Sequence, residues 1–334
     1  MRQNASTVMS VLIILLADAI CGESYCHVER VILKMSDKIK KVRLKGNESF
    51  NFREGWLRKG MRCVEEEPCL FAQDDVMERL GVGSKIVRSI RFWLNACGLC
   101  EERYINNGRA RAFYISQDFG NVIKKYDKYF EDDFTLCLLH YNIVSNESMC
   151  IAWNIFFNDF KATEFSREDF FKVASVELEK KLEEGTEYSK KSFADDCSSV
   201  IRMYARTFEA ENIEENLSCP LSELGLLRSN AKSTYTKVAP SRDRLDPLAI
   251  LYVIVSSLQE GRNAVSINEL VSGRNNIGKV FNLNRVLINE YLDQLRAAGY
   301  LTINRTAGLD MVYLKETCSP SSIMTEYYEK AQVQ

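Results

Sequence analysis

The stretch from residue 246 to 314 constrains the fold more than any other. Asp246-Pro247 is a helix N-cap followed by proline at the first helical position, where the missing N–H costs nothing and the fixed φ is already helical. Residues 248–259 continue as a first helix. Ser266-Ile-Asn-Glu269 has capping-box spacing and opens a short second one. Asn282 is expected to cap a third helix, with Leu283, Val286, Leu287, Tyr291 and Leu295 inward and Gly299 as its stop. Asn284, Arg285, Ile288 and Asn289 then project outward, with Lys279 just before them. The run Tyr300-Leu-Thr-Ile-Asn-Arg-Thr-Ala-Gly-Leu-Asp-Met-Val-Tyr-Leu314 predicts a β-hairpin around Ala307-Gly308. Helices followed by a hairpin give the winged-helix order. Its last helix can enter a DNA groove, which makes Asn284, Arg285, Asn289 and, in the wing, Arg305 candidate DNA contacts. The same architecture also serves protein–protein contact, so the fold alone does not choose between the two.

An earlier stretch repeats this order with more charge. Asp74-Asp-Val-Met-Glu-Arg-Leu80 reads as a short helix and Gly81-Val-Gly83 as a tight turn. On a helix over 84–97, Val87, Ile90, Leu94 and Cys97 fall on one side, and Lys85, Arg88, Arg91, Phe92 and Asn95 on the other. Cations and an amide opposite an apolar stripe suit phosphates and base edges, although many helices carry such a face only for solubility. Tyr104-Ile-Asn-Asn-Gly-Arg-Ala-Arg-Ala-Phe-Tyr-Ile115 predicts a hairpin around Asn107-Gly108, carrying Arg109 and Arg111 with Arg103 beside them. Lys85, Arg88, Arg91, Asn95, Arg109 and Arg111 are therefore the candidate DNA contacts of this module.

Between the two, residues 134–144 and 149–158 read as buried helices. Ser166-Arg-Glu-Asp169 opens another that runs to about Leu182 and stops before Gly185. Residues 192–208 form an amphipathic helix with Phe193, Cys197, Val200, Ile201 and Tyr204 inward and Asp195 and Asp196 outward. The polar run 229–245 reads as a linker. The expected fold is mainly α with small β-hairpin wings: tandem winged-helix or helix-turn-helix modules (49–118 and 246–316) around a helical middle (126–228), with a tail over 317–334.

Net charge is −2, so any DNA contact must come from local patches; residues 35–100 carry 13 Lys or Arg against 9 Asp or Glu. Eleven cysteines at irregular spacing argue for free thiols and a cytoplasmic location. Cys97-Gly-Leu-Cys100 lacks the second pair or nearby histidines of a zinc site and reads as core packing. The apolar run within residues 8–20 has signal-peptide length but poor flanks, and Asp18 interrupts it. Residues 1–34 are therefore read as an extension before a natural start at Met35, with an export signal as the alternative. With His140 as the single histidine of the main body, His-based triads and histidine metal nucleases are nearly excluded, and no Gly-x4-Gly-Lys-Ser/Thr phosphate loop occurs. Asp127, Glu131, Asp132 and Asp133 offer Mg²⁺ ligands in principle, but acids before Phe134 favour capping of the next helix. No cofactor or metal is expected.

Phe52-Arg-Glu-Gly-Trp-Leu-Arg-Lys-Gly60, Leu80-Gly-Val-Gly83, Ser89-Ile-Arg-Phe-Trp93 and Phe130-Glu-Asp-Asp133 carry a resemblance, together with Thr135-Leu-Cys-Leu-Leu-His-Tyr141, residues 153–160 and Cys219-Pro-Leu-Ser-Glu-Leu-Gly-Leu226. Over about residues 49–316 the chain resembles a bacterial family, the domain of unknown function number four thousand and seven. Members are encoded beside phosphoadenosine-phosphosulfate-reductase-like proteins, in DNA-sulfur-modification and phage-defence clusters. The resemblance implies a prokaryotic partner of such a complex and supplies no catalytic residue. The expected function is a non-catalytic adaptor that binds double-stranded DNA and a defence-complex protein, with no membrane contact. The alternative is a metal-dependent nuclease or modification subunit using the acidic cluster at 127–133.

Overall fold

The computed structural model describes residues 38–205, 219–230, 233–259, 261–306, 309–315 and 318–332. The expectations for residues 1–34, Met35, Phe208 and the Ala307-Gly308 turn lie outside the described residues. Among the described residues the chain is mainly helical, with three small antiparallel sheets. Described residues 38–42 and 179–187 make one small unit, in which Ile39 bridges Leu182 and Lys38 Nζ donates to Lys180 O at 2.6 Å. The described residues within 43–178 and 188–332 make the other unit, which takes in the expected terminal domains and the expected middle one apart from residues 179–187.

The N-terminal part runs α1 (Trp56–Glu66), α2 (Val76–Leu80), α3 (Ser84–Ala96), β1 (Cys100–Ile105), β2 (Ala110–Ile115) and α4 (Gly120–Tyr126). Gly81 ends α2 at φ +58, a conformation in which a Cβ would be strained, and the chain turns directly into α3. The hairpin pairs Ile105 with Ala110, leaving a four-residue loop, 106–109, in which Asn106, Asn107 and Gly108 all have positive φ.

The middle follows with α5 (Asp133–Ser145), α6 (Ile151–Asn158), β3 (Glu164–Ser166), α7 (Arg167–Lys181), α8 (Lys190–Tyr204), β4 (Leu227–Ser229) and β5 (Thr234–Lys237). Asp132 caps α5 by accepting from Phe134 N, as the position of the acids in the sequence implies. The linker expected over 229–245 is instead structural. Residues 234–237 form β5, the central strand of sheet β3–β5–β4. Alternation turns Tyr235 inward against Phe165, so a polar run supplies one buried face. Asp196, expected outward on α8, is buried and accepts from Lys45 N at 2.9 Å.

The C-terminal part contains α9 (Pro247–Ser257), β6 (Ala264–Ser266), α10 (Ile267–Ser272), α11 (Ile277–Val280), α12 (Arg285–Ala297), β7 (Leu301–Thr306), β8 (Leu309–Leu314) and α13 (Pro320–Ala331). Strand order β6–β8–β7 adds one strand to the expected hairpin. The buried face of the third helix matches the expected one only in part. Asn284, not Asn282, is the N-cap of α12, and it accepts from Leu287 N at 3.0 Å. Asn282, at φ +53, donates instead to Leu226 O and Val238 O. Leu283, Tyr291 and Leu295 are buried as expected, but Val286 is 66% exposed and Ile288, expected outward, is fully buried. The expected tail is a docked helix, with Ile323, Met324 and Tyr328 of α13 buried.

Candidate nucleic-acid interface

Helix α3 is less free than its sequence implies. Residues 43–52 cross its outward side. Phe92, expected on the wet face, is 2% exposed because Gly46 lies against its ring, so close that a Cβ there would approach to 2.6 Å. Ser89 Oγ and Trp93 Nε1 both donate to Phe50 O. What remains exposed is Lys85 and Arg88, with Arg91 and Asn95 half-buried.

Acids hold most of the nominated cations. Arg88 Nε donates to Glu48 at 2.7 Å. Arg91 pairs with Glu102 and stacks over Phe113, and Arg111 reaches the same carboxylate at 3.3 Å while lying over Tyr104. Lys85 and Arg109 make no ion pair among the described residues. The Arg88–Glu48 pair is largely solvated, so Arg88→Ala should lower stability by about 1 kcal/mol or less in a denaturant titration.

The nominated C-terminal residues do come together, but they are taken up by one another and by neighbouring groups. Arg285 contacts Asn268 and lies 3.8 Å from Asp310. Asn289 donates to Arg285 O and accepts from Arg305, which also faces Asp293 at 3.8 Å. Asn284 spends its side-chain oxygen on the cap. This face is nearly neutral, Arg285 and Arg305 being matched by Asp310 and Asp293, and Val286 beside Arg285 is exposed.

A more basic surface lies on α1, outside the residues nominated from sequence. Arg58, Lys59 and Arg62 line one shallow cleft, and Arg58 and Arg62 share a second with Lys124 and Lys128. The opposite side of α1 is buried through Leu57, Gly60, Met61 and Val64. The i, i+4 spacing of Arg58 and Arg62 is the signal in the sequence that points to it. Nearby acids are few: Glu65 bonds Lys124 at 2.6 Å, and Glu66 reaches Arg62 only at 3.9 Å. Lys59 Nζ lies 3.1 Å from where a Cβ on Gly81 would stand, so the ridge adjoins the turn into α3.

In the acidic group at 127–133 the carboxylates of Asp127, Asp132 and Asp133 are occupied by structural bonds. Asp127 accepts from Glu131 N, Asp132 N and Thr135 Oγ1. Asp132 accepts from Phe134 N and Tyr327 OH, and Asp133 pairs with Arg244 at 3.0 Å. Burial raises the carboxyl pKa of both Asp132 and Asp133. Cys97 and Cys100 are buried, which pushes the Cys100 thiol up to about 12 and raises Cys97 as well, the opposite of an activated thiolate. No group of three or more His, Cys, Asp or Glu among the described residues is placed to hold a metal. No helix among them is long and apolar enough to cross a membrane.

Comparison with known proteins gives a fold and a family. No curated protein matches. A structure described as magnesium ion-bound SspB is 24% identical, with a TM-score of 0.78 over 88% of this chain and 90% of that one. A second SspB crystal structure is also 24% identical, with a TM-score of 0.77 over 89% and 91%. At this identity the likeness is one of fold. Residues 44–328 match the family described as protein of unknown function (DUF4007), and the chain belongs to that family.

Proposed function

We propose that this protein binds double-stranded DNA as a non-catalytic adaptor of a prokaryotic DNA-modification or phage-defence system in the cytoplasm. The observation that supports the reading best is the α1 ridge, where Arg58, Lys59, Arg62 and Lys128 crowd together with few acids, and where Lys85 is exposed on the neighbouring helix. Locally concentrated cations on a chain of net charge −2 are the footprint of a polyanion site. The order helix, turn, helix, hairpin in both terminal parts supports a winged-helix reading of each. The nearly neutral α12 face is better suited to the partner, a phosphoadenosine-phosphosulfate-reductase-like or other defence-complex protein in keeping with the family resemblance.

The test is salt dependence. Replacing Arg58, Lys59 and Arg62 by Ala should weaken duplex binding at least tenfold. It should also reduce the slope of log affinity against log salt by about one for each phosphate that is no longer neutralised. Replacing Lys85 and Arg109 should act in the same direction, and Arg88 and Arg91 less, because Glu48 and Glu102 already neutralise them. Unchanged affinity and slope in the α1 variant would overturn the reading.

A second reading rests on the magnesium named for one fold relative: a metal-dependent nuclease using Asp127, Glu131, Asp132 and Asp133. Incubation of duplex DNA with and without Mg²⁺ separates the two. Cutting that needs the metal and disappears in Asp132→Ala would favour the nuclease; a mobility shift without cutting favours the adaptor.

A further inference from the structure

The turn after α4 raises one aromatic ring among the ridge cations. Phe130 adopts φ +61, a left-handed conformation that a bulky residue rarely takes. It is held there because its ring is buried, its N–H donates to Asp127 O at 3.1 Å, and the Asp127 carboxylate ties down the next two N–H groups. The turn sends Phe130 inward and its neighbour Tyr129 outward. Tyr129 is 44% exposed, with the Arg58 guanidinium 4.2 Å from its ring centroid and the Lys128 ammonium at 5.1 Å. Arg62 borders the same cleft, as do Lys124 and the Glu65 that holds it.

A flat ring flanked by cations has little to do against an intact duplex. There the base faces are stacked on one another and only edges and phosphates are presented. An unpaired strand exposes both a phosphate chain and free base faces, and proteins hold it with a basic groove plus an aromatic platform. We infer that this surface takes an unpaired segment of DNA, with phosphates on Arg62 and Lys128 and a base stacked on the Tyr129–Arg58 pair. The inference rests on the proposal that the ridge binds DNA, and it adds the structural state of the strand.

The experiment uses the full chain and three probes of one sequence: an intact duplex, the same duplex with a short single-stranded gap, and the single strand. Placing 2-aminopurine in the gap adds a direct report of stacking. The gapped probe should bind about 10-fold more tightly than the duplex, the scale of one stacked base. Its 2-aminopurine fluorescence should be quenched on binding. Tyr129→Ala should remove both the preference and the quenching while leaving duplex affinity within about twofold, and Tyr129→Phe should keep both. Equal binding of duplex and gapped probes overturns the inference and leaves the DNA proposal standing; so does a gap preference that survives Tyr129→Ala. Failure to bind all three probes overturns both.

Discussion

Trp93→Ala is expected to lower the stability of the whole larger unit by about 3–5 kcal/mol, the usual cost of deleting a large core aromatic. Trp93 is fully buried. Its ring meets Phe52 from the segment before α1, Phe92 from its own helix and Trp153 from α6, all edge-on at 4.9–5.5 Å. Its indole N–H donates to Phe50 O at 2.8 Å. The substitution therefore opens a cavity where three segments meet. A chain of modules strung on linkers would lose its first module alone, giving two denaturation steps with only the first shifted. The shared core predicts one step, shifted as a whole, when tryptophan fluorescence and far-ultraviolet circular dichroism are followed together. Two separated steps would count against it.

That shared core marks where the sequence stops being readable. Local signals hold: Asp246-Pro247 begins α9, Ser166 and Asp169 exchange the bonds of a capping box, and Gly98 ends the turn after α3 at φ +72. Each depends on residues a few positions apart. The covering of α3 does not, because residues 43–52 have no periodicity to announce that they lie on another helix. Lys237 makes the same point. In a polar run it reads as linker. In the fold its amine donates to Phe156 O and Phe160 O at the end of α6 and lies over the Phe156 ring, and burial lowers its pKa to about 7. The partners are 81 and 77 positions away, beyond the reach of any local pattern. The candidate interface divides the same way. Which helices carry cations is legible, but which cations keep their charge free is not. Glu48 and Glu102 quench Arg88, Arg91 and Arg111 only once the chain has folded.

The most informative pH experiment concerns His140, the histidine in the middle of the larger unit. It is fully buried, with one ring nitrogen 2.7 Å from Val280 O and the other 2.8 Å from Tyr204 OH. A carbonyl can only accept, so Nε2 carries the proton. Burial keeps the ring neutral, so Nδ1 accepts from the tyrosine, and the ring joins α5 to α8 and α11. Burial among Phe157, Tyr204 and Phe281 lowers its pKa from 6.5 to about 4, with the bond to Val280 O opposing the shift. Because the folded pKa lies below the unfolded one, the unfolded chain binds the extra proton first. Stability is complete above pH 6.5 and is lost as pH falls towards 4, by about 3 kcal/mol from this group. Asp196 hides the effect. Burial raises its carboxyl from 3.8 to about 7, the Lys45 N–H bond opposing, so its contribution is present at low pH and lost as pH rises over much the same window. The measurement therefore needs Asp196→Asn, whose amide oxygen can still accept from Lys45 N. In that background, urea titrations should show stability falling by about 3 kcal/mol from pH 6.5 to 4, and adding His140→Gln should flatten that fall. Asp196→Asn should also raise stability at pH 7, where the unfolded parent chain gains by releasing a proton that the buried carboxyl retains. Parallel pH profiles for the single and double variants would mean that His140 is not the neutral, enclosed link that its two hydrogen bonds describe.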